Sequence, residues 1–306
     1  MQSFPEKPSQ KVPVLLLAFN RPTLTDKVLA SISGYAPPDL YVSVDGPRAG
    51  RPDDERNGAA IRESVAVWEK ANPATRVHRL YREANLGCGR GVSSAISWFF
   101  SEQEMGIILE DDCLPNRSFY SFCQEMLYRY ANDERIMHIG GSNYLEGRIG
   151  MESTYYFSKY PQIWGWASWR RAWSKYAFDM PDLDRVLDLP EFRRYYDGEL
   201  FIRTRNGAVD TWDIQWIYTF LLNGGLSVLP KDNLIRNTGF AEEGGIHLTE
   251  KPKWYNDATV EFTVLIHPTE VVHHAAADDY VFRKAYRMSL AYRVRSRLKR
   301  LFFKKS

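Results

Sequence analysis

Three cysteines in 306 residues, Cys88, Cys113 and Cys123, show no paired C-x-x-C spacing. That excludes a disulfide framework and a cysteine-based zinc site, and it predicts a reducing, cytoplasmic setting. Long apolar runs are missing as well. The clearest, Val12 to Phe19, is far short of the roughly 18 residues that a membrane-spanning helix needs. The polar opening from Met1 to Lys11 lacks the apolar core of a secretory signal. No P-loop signature occurs. The one glycine-rich turn, Gly87-Cys88-Gly89-Arg90-Gly91, fails the dinucleotide fingerprint because position 92 is Val92, and it does not follow the first strand.

Charge is balanced only in total. Residues 280–306 hold ten Lys or Arg and no acid, so taking ten from the net +2 leaves the preceding 279 residues at −8. Within that basic stretch Leu290, Val294, Leu298, Leu301 and Phe302 recur at helical spacing, the pattern of a basic amphipathic helix. Residues 283–305 are therefore expected to contact an anionic membrane surface, with the protein peripheral at the inner face. A helix packed on the body, or a disordered tail, fits the same pattern. Nucleic acid is not expected, since the body is acidic and carries no recognition motif. Nothing in the sequence sets the oligomeric state.

What is present is an alternation. Strand-like runs at Val12 to Phe19, Leu40 to Val44, Val77 to Tyr81 and the segment ending at Leu109 are separated by helical patterns at Thr23 to Ile32, up to Trp68, and at Val92 to Phe100. Such order predicts an α/β fold with a mostly parallel sheet flanked by helices. Right-handed crossovers then bring the loops after Phe19, Val44 and Leu109 to one edge, where open α/β sheets bind ligands. That edge collects Asn20, Arg21, Asp45 and the consecutive acids Glu110, Asp111 and Asp112. An acidic triplet alone also fits a solvated turn. Beside Arg21, which suits a phosphate, and Asp45, which suits a base or ribose, it reads as the metal end of a nucleotide site. Arg90 on the glycine turn either points into that crevice or merely belongs to a loop closure.

Past Gly140 the chain turns aromatic: Tyr155, Tyr156, Tyr160, Trp164, Trp166, Trp169 and Trp173. These rings suit sugar faces or a core, and Trp169 with Trp173 has the i,i+4 spacing of one helix face. Asp213 follows Trp212 at the start of an amphipathic segment running to about Leu222, as a helix cap or as a general base. A glycine-bearing stretch from Arg236 to His247 has the composition of a loop that closes over substrates. Three parts result: a half with the nucleotide site at 1–140, an aromatic half at 141–279 fused to the same core, and the basic tail at 280–306.

The order of these pieces resembles inverting glycosyltransferases of the GT-A (Rossmann-like) fold, of the N-acetylglucosaminyltransferase I type and its bacterial relatives, over roughly residues 12–250. The motifs that carry it are Val12 to Arg21, Val44-Asp45-Gly46, Leu109 to Asp112, Gly165-Trp166, Trp212-Asp213 and Arg236 to His247. The triplet is Glu-Asp-Asp rather than a literal DxD, and Ile214 stands where the animal enzymes have another Asp. The resemblance implies that Arg21 contacts phosphate and Asp45 the uracil or ribose. It makes Asp112 the metal ligand for Mn²⁺ or Mg²⁺, turns Asp111 to ribose or metal-bound water, and lets Glu110 reach the donor sugar. Trp212 would pack on that sugar, Asp213 would be the catalytic base, and His247 would close over the diphosphate. The implied donor is a UDP-sugar, UDP-GlcNAc being the candidate, and the acceptor a glycan or lipid-linked hydroxyl. A sugar-1-phosphate nucleotidyltransferase and a non-catalytic carbohydrate-binding protein are the competing readings. The first generally shows an early glycine-rich loop with a basic residue, which Leu15 to Pro22 lacks.

Overall fold

Val14-Leu15-Leu16-Leu17-Ala18 is apolar at every position, and it is a strand buried on both faces, β1. Its register identifies its neighbours: Val14 pairs in parallel with Leu40 on one side and Ile107 on the other. The computed structural model describes residues 10–240 and 255–286. Within them β1 (Val14–Ala18), α1 (Pro22–Tyr35), β2 (Asp39–Val44), α2 (Pro52–Ala71), β3 (Arg76–Tyr81), α3 (Gly87–Glu102) and β4 (Met105–Glu110) follow in strict alternation. Then come β5 (Cys113–Pro115), α4 (Arg117–Arg129), β6 (Ile136–Gly140), β7 (Tyr155–Ser158), β8 (Trp166–Trp169) and the single turn α5 (Arg170–Trp173). The remainder is α6 (Leu183–Asp188), α7 (Pro190–Tyr195), α8 (Gly198–Arg205), α9 (Asp213–Leu222), β9 (Leu226–Pro230), β10 (Ile235–Asn237), α10 (Ala275–Val281) and a π-helical turn, Phe282–Tyr286.

Eight strands form one sheet in the order β3-β2-β1-β4-β8-β6-β9-β7. Only β8 and β7 oppose the others: β8 is antiparallel to β4 and β6, and β7 to β9. The expected α/β fold with a mostly parallel, helix-flanked sheet is therefore present. Strands from both sides of residue 140 share it, so the two halves have a common core.

Side-chain alternation along β1 sorts the core into two layers. Val14, Leu16 and Ala18 face α1, α2 and α4, meeting Val28, Ile32, Ile61, Val65 and Phe119. Leu15 and Leu17 face the other way, toward Ile96 and Phe99 of α3 and Trp216 and Phe220 of α9. Each such side chain, fully buried, stabilises the fold by about 1.5–3 kcal/mol. The opposite face of α9, with Ile214, Tyr218 and Leu221, packs on α6 and α8.

One expectation fails here. Trp169 closes strand β8 and Trp173 closes the short α5, so the two do not share a helix face. Their spacing mimics i,i+4, but strand pairing of Trp169 with Met105 outweighs it.

Candidate functional site

β1 ends at Ala18, and Pro22 starts α1, because its fixed φ suits a helix start and it has no N–H to satisfy. Arg21 is thereby left at the carboxyl edge of the sheet. Leu17 pairs with Glu110, so the triplet that ends β4 emerges beside it. The Arg21 guanidinium donates to Asp111 Oδ1, and its other arm donates to Asp112 Oδ2 at 3.0 Å. Asp111 also accepts from the Phe19 N–H at 3.4 Å and is buried. Burial works against the charge on Arg21, but the carboxylates of Asp111 and Asp112 outweigh it and raise its pKa. Arg21, expected at a phosphate, and Asp111, expected at ribose or metal-bound water, thus lie side by side and hold each other.

Glu110 bears the cost of this crowding. Burial first, and then the charge of Asp112, push its carboxyl up to about 8; Arg21 opposes, while Asp111 and Asp213 add to the rise. Asp111 is raised to about 6, chiefly by burial, with Arg21 pulling the other way.

Asp112 is supported from behind by a second, two-stranded sheet. β10 pairs antiparallel with β5, Asn237 opposite Cys113, and the Thr238 N–H then donates to the Asp112 carbonyl at 2.8 Å. A methyl at Gly239 would overlap Asp112 Oδ2 and lie 3.1 Å from Arg21 Nη1, so the backbone must come this close. His247, the other end of that expected loop, lies outside the described residues.

Three carboxyl groups crowded against one guanidinium are donor chemistry suited to a hard cation, whose charge would favour their ionised forms. Among the described residues no group of three or more His, Cys, Asp or Glu is placed to enclose one. A divalent ion here would rest on Asp112, with Glu110 alongside, and fill its shell from water and substrate phosphates, as Mg²⁺ commonly does.

Asp213 opens α9. The Thr211 hydroxyl donates to its Oδ1, and so does the Ile214 N–H, at 2.9 Å. Among the described residues no donor meets Oδ2. Trp212 is 2 % exposed and lies against Trp166, with ring centroids 5.6 Å apart and planes at 16°. Trp173 and Trp216 complete the cluster, and Tyr176 fixes the Trp212 carbonyl at 3.0 Å. The expected sugar platform is therefore a core ring with little surface left to offer.

Asp45, at the end of β2, is also occupied internally. It accepts from the N–H groups of Gly46 and Leu86 and from the Asn85 amide at 2.9 Å, and burial raises its carboxyl above the ordinary range. Asn20 donates to Asp54 at 2.8 Å, within a network that Arg48 completes from Nε at 2.6 Å. Arg90 is exposed with its guanidinium 4.5 Å from the Phe178 ring centroid, where a cation lies over an aromatic face.

Sequence reasoning missed Asp210. Its two oxygens accept from the N–H groups of Cys88 and Gly89, each at 2.9 Å, so the glycine turn approaches a carboxylate of this same chain. The pairing spans more than 120 residues, and the only local sign of it is the glycine content of the turn. At the far end of the described chain Lys284 bonds Glu146 at 2.6 Å and so turns toward the body, while Arg283 is exposed and bonds the Asp279 carbonyl four residues earlier at 3.2 Å. The rest of the basic tail lies outside the described residues. No described helix is long and apolar enough to cross a membrane.

No family model matches the chain, and no curated protein sequence matches it. Among solved structures it is similar to UDP-glucose pyrophosphorylase in two states. The complex with UDP-glucose is 10% identical at TM-score 0.36, covering 74% of this chain and 93% of that one. The apo form is 10% identical at TM-score 0.38, covering 75% and 93%.

Proposed function

We propose that this protein is a metal-dependent inverting glycosyltransferase, moving a sugar from a UDP-sugar to a hydroxyl of a glycan or lipid-linked acceptor. The observation that carries the reading is the seating of the Asp213 segment beside β4: Trp212 stacks on Trp166, and Trp166 pairs with Ile108 of the strand that ends in Glu110. On this reading a base and a diphosphate-binding end lie together at the carboxyl edge of the sheet, where α/β folds place their ligands.

With Oδ1 held by Thr211 and Ile214, Asp213 Oδ2 is the oxygen that takes the acceptor proton. The acceptor oxygen then forms its bond to the anomeric carbon as the bond from that carbon to the diphosphate breaks. Attack comes from the face opposite the leaving group, so the configuration inverts. A bound Mn²⁺ or Mg²⁺ supplies Lewis-acid neutralisation of the departing diphosphate. Arg21 keeps Asp112 aimed, and Glu110 is assigned to the donor sugar. UDP-GlcNAc is the first donor to try.

Incubation with UDP-sugars and Mn²⁺ tests this. Release of UDP, increased by an acceptor and lost in Asp213→Asn, is the expected result. Exchange of pyrophosphate into the nucleotide sugar would replace the reading with a nucleotidyltransferase, and absence of nucleotide binding would leave a carbohydrate-binding protein.

A further inference from the structure

We infer that Asp210 is a positioning residue, a clamp that ties the Asp213-bearing segment to the amino end of α3. The inference rests on Asp213 being the base.

The segment from Asp210 to Asp213 has no strand pairing, and α9 begins only at Asp213. Its conformation has to be imposed from outside. Tyr176 fixes the carbonyl of Trp212, and Thr211 fixes one oxygen of Asp213. Asp210 supplies the long-range fixture. Its carboxylate takes the N–H groups of Cys88 and Gly89, two of the amino-terminal donors of α3 that have no partner inside the helix. A negative charge is favoured there by the helix dipole as well.

The glycines of the turn fit this role. A methyl at Gly87 would overlap Asp210 Oδ2, and Gly87 has φ +79°, a conformation few other residues adopt. A methyl at Gly89 would lie 2.8 Å from Asp210 Oδ1 and 3.0 Å from the Thr211 carbonyl oxygen. The turn has therefore shed side chains where Asp210 docks. Asp45 takes the Leu86 N–H on the other flank, so the turn is held between two carboxylates, one from each half of the chain.

The contact is testable from both sides. Asp210→Ala removes the clamp, and Gly89→Ala presses on it while leaving the helix a good former. Each is expected to lower kcat by about ten- to hundredfold with donor KM nearly unchanged, because a base displaced by about 1 Å loses rate of that order. Asp210→Asn, which keeps an acceptor oxygen, should fall between. Adding Gly89→Ala to Asp210→Ala should cost clearly less than the sum of the two, since the carboxylate is gone and only the Thr211 carbonyl oxygen, at 3.0 Å, still crowds the methyl. Additive losses, or a kcat for Asp210→Ala within twofold of the parent, would overturn the inference.

Amide hydrogen exchange separates this from the functional reading. In Asp210→Ala the amides of Cys88, Gly89 and residues 211–216 should exchange faster, whether or not the parent transfers a sugar. Unchanged exchange there overturns the clamp. A parent with no transfer but a sensitive segment overturns the proposed function and leaves the clamp standing.

Discussion

Arg21 Nη1 lies 3.0 Å from Asp112 Oδ2, while the other arm of the same guanidinium holds the buried Asp111. One cation at the end of β1 thus sets the geometry of two acids at the end of β4. Asp111 then works as the buried anchor for Arg21 and Asp112 as the half-buried partner, two roles that adjacent identical residues do not advertise.

Arg21→Ala leaves Asp111 as an unpaired buried carboxylate. Removing one partner of a buried pair costs about 3–5 kcal/mol, so a large drop in urea midpoint is expected. Arg21→Lys should recover only part of it, because an ammonium cannot span two carboxylates as a guanidinium fork does. Equal stability of the Ala and parent proteins in urea unfolding would show that the bridge contributes nothing.

Asp213→Asn should reduce transfer by at least about 10²-fold, the range for loss of a general base, while UDP-sugar affinity stays close to that of the parent. Calorimetric titration of the donor alongside a transfer assay gives both quantities. Transfer near the parental rate would remove Asp213 from the mechanism.

The first half of the fold could be read from local pattern alone. Val14–Ala18, Asp39–Val44 and Met105–Glu110 are largely apolar runs of strand length, each followed by turn-forming residues, and they are parallel neighbours whose carboxyl ends lie together as the crossover rule assigns. Beyond Gly140 the order β4-β8-β6-β9 interleaves distant segments, and no local period encodes which strand inserts between which. The site divides in the same way. Asn20, Arg21, Asp45 and the triplet were legible as residues gathered at one edge. Their internal partners were not, because Arg21 with Asp111, Asn20 with Asp54, and Cys88 with Asp210 are contacts made only by folding. Trp212 and Trp166 illustrate the remaining ambiguity, since aromatic composition is the same for a sugar platform and for a core.

His138 gives a pH dependence with a definite sign. Its Nε2 lies 3.0 Å from the Gln162 carbonyl, which can only accept, and its Nδ1 lies 3.3 Å from the Trp216 indole nitrogen, which can only donate. That fixes the neutral tautomer with the proton on Nε2, and burial holds the pKa down at about 3. The unfolded chain takes up this proton below its ordinary value of about 6.5. The contribution is therefore complete above about pH 6.5 and declines as pH falls toward about 3. Between pH 7 and pH 5 it should amount to about 2 kcal/mol of lost stability. His138→Gln should flatten that part of the curve in urea unfolding, and an unchanged slope would contradict the assignment.

Gly239 offers the sharpest test of Asp112, because it perturbs that carboxylate without replacing it. An added methyl would overlap Asp112 Oδ2 and approach Arg21 Nη1 to 3.1 Å, and the Thr238 N–H to Asp112 carbonyl bond at 2.8 Å keeps the two backbones from separating freely. Alanine fits the backbone conformation here, since Gly239 is not among the glycines with positive φ. The carboxylate is then the part that must turn, away from Arg21 and from the crevice. Gly239→Ala should weaken Mn²⁺-dependent UDP binding by about ten- to hundredfold, the usual effect of disturbing a residue that aims a metal ligand. Its thermal stability should fall less than that of Arg21→Ala, because Asp111 keeps its guanidinium partner. If Mn²⁺-dependent UDP binding survives unchanged in a folded Gly239→Ala protein, Asp112 Oδ2 does not take part in holding the ion.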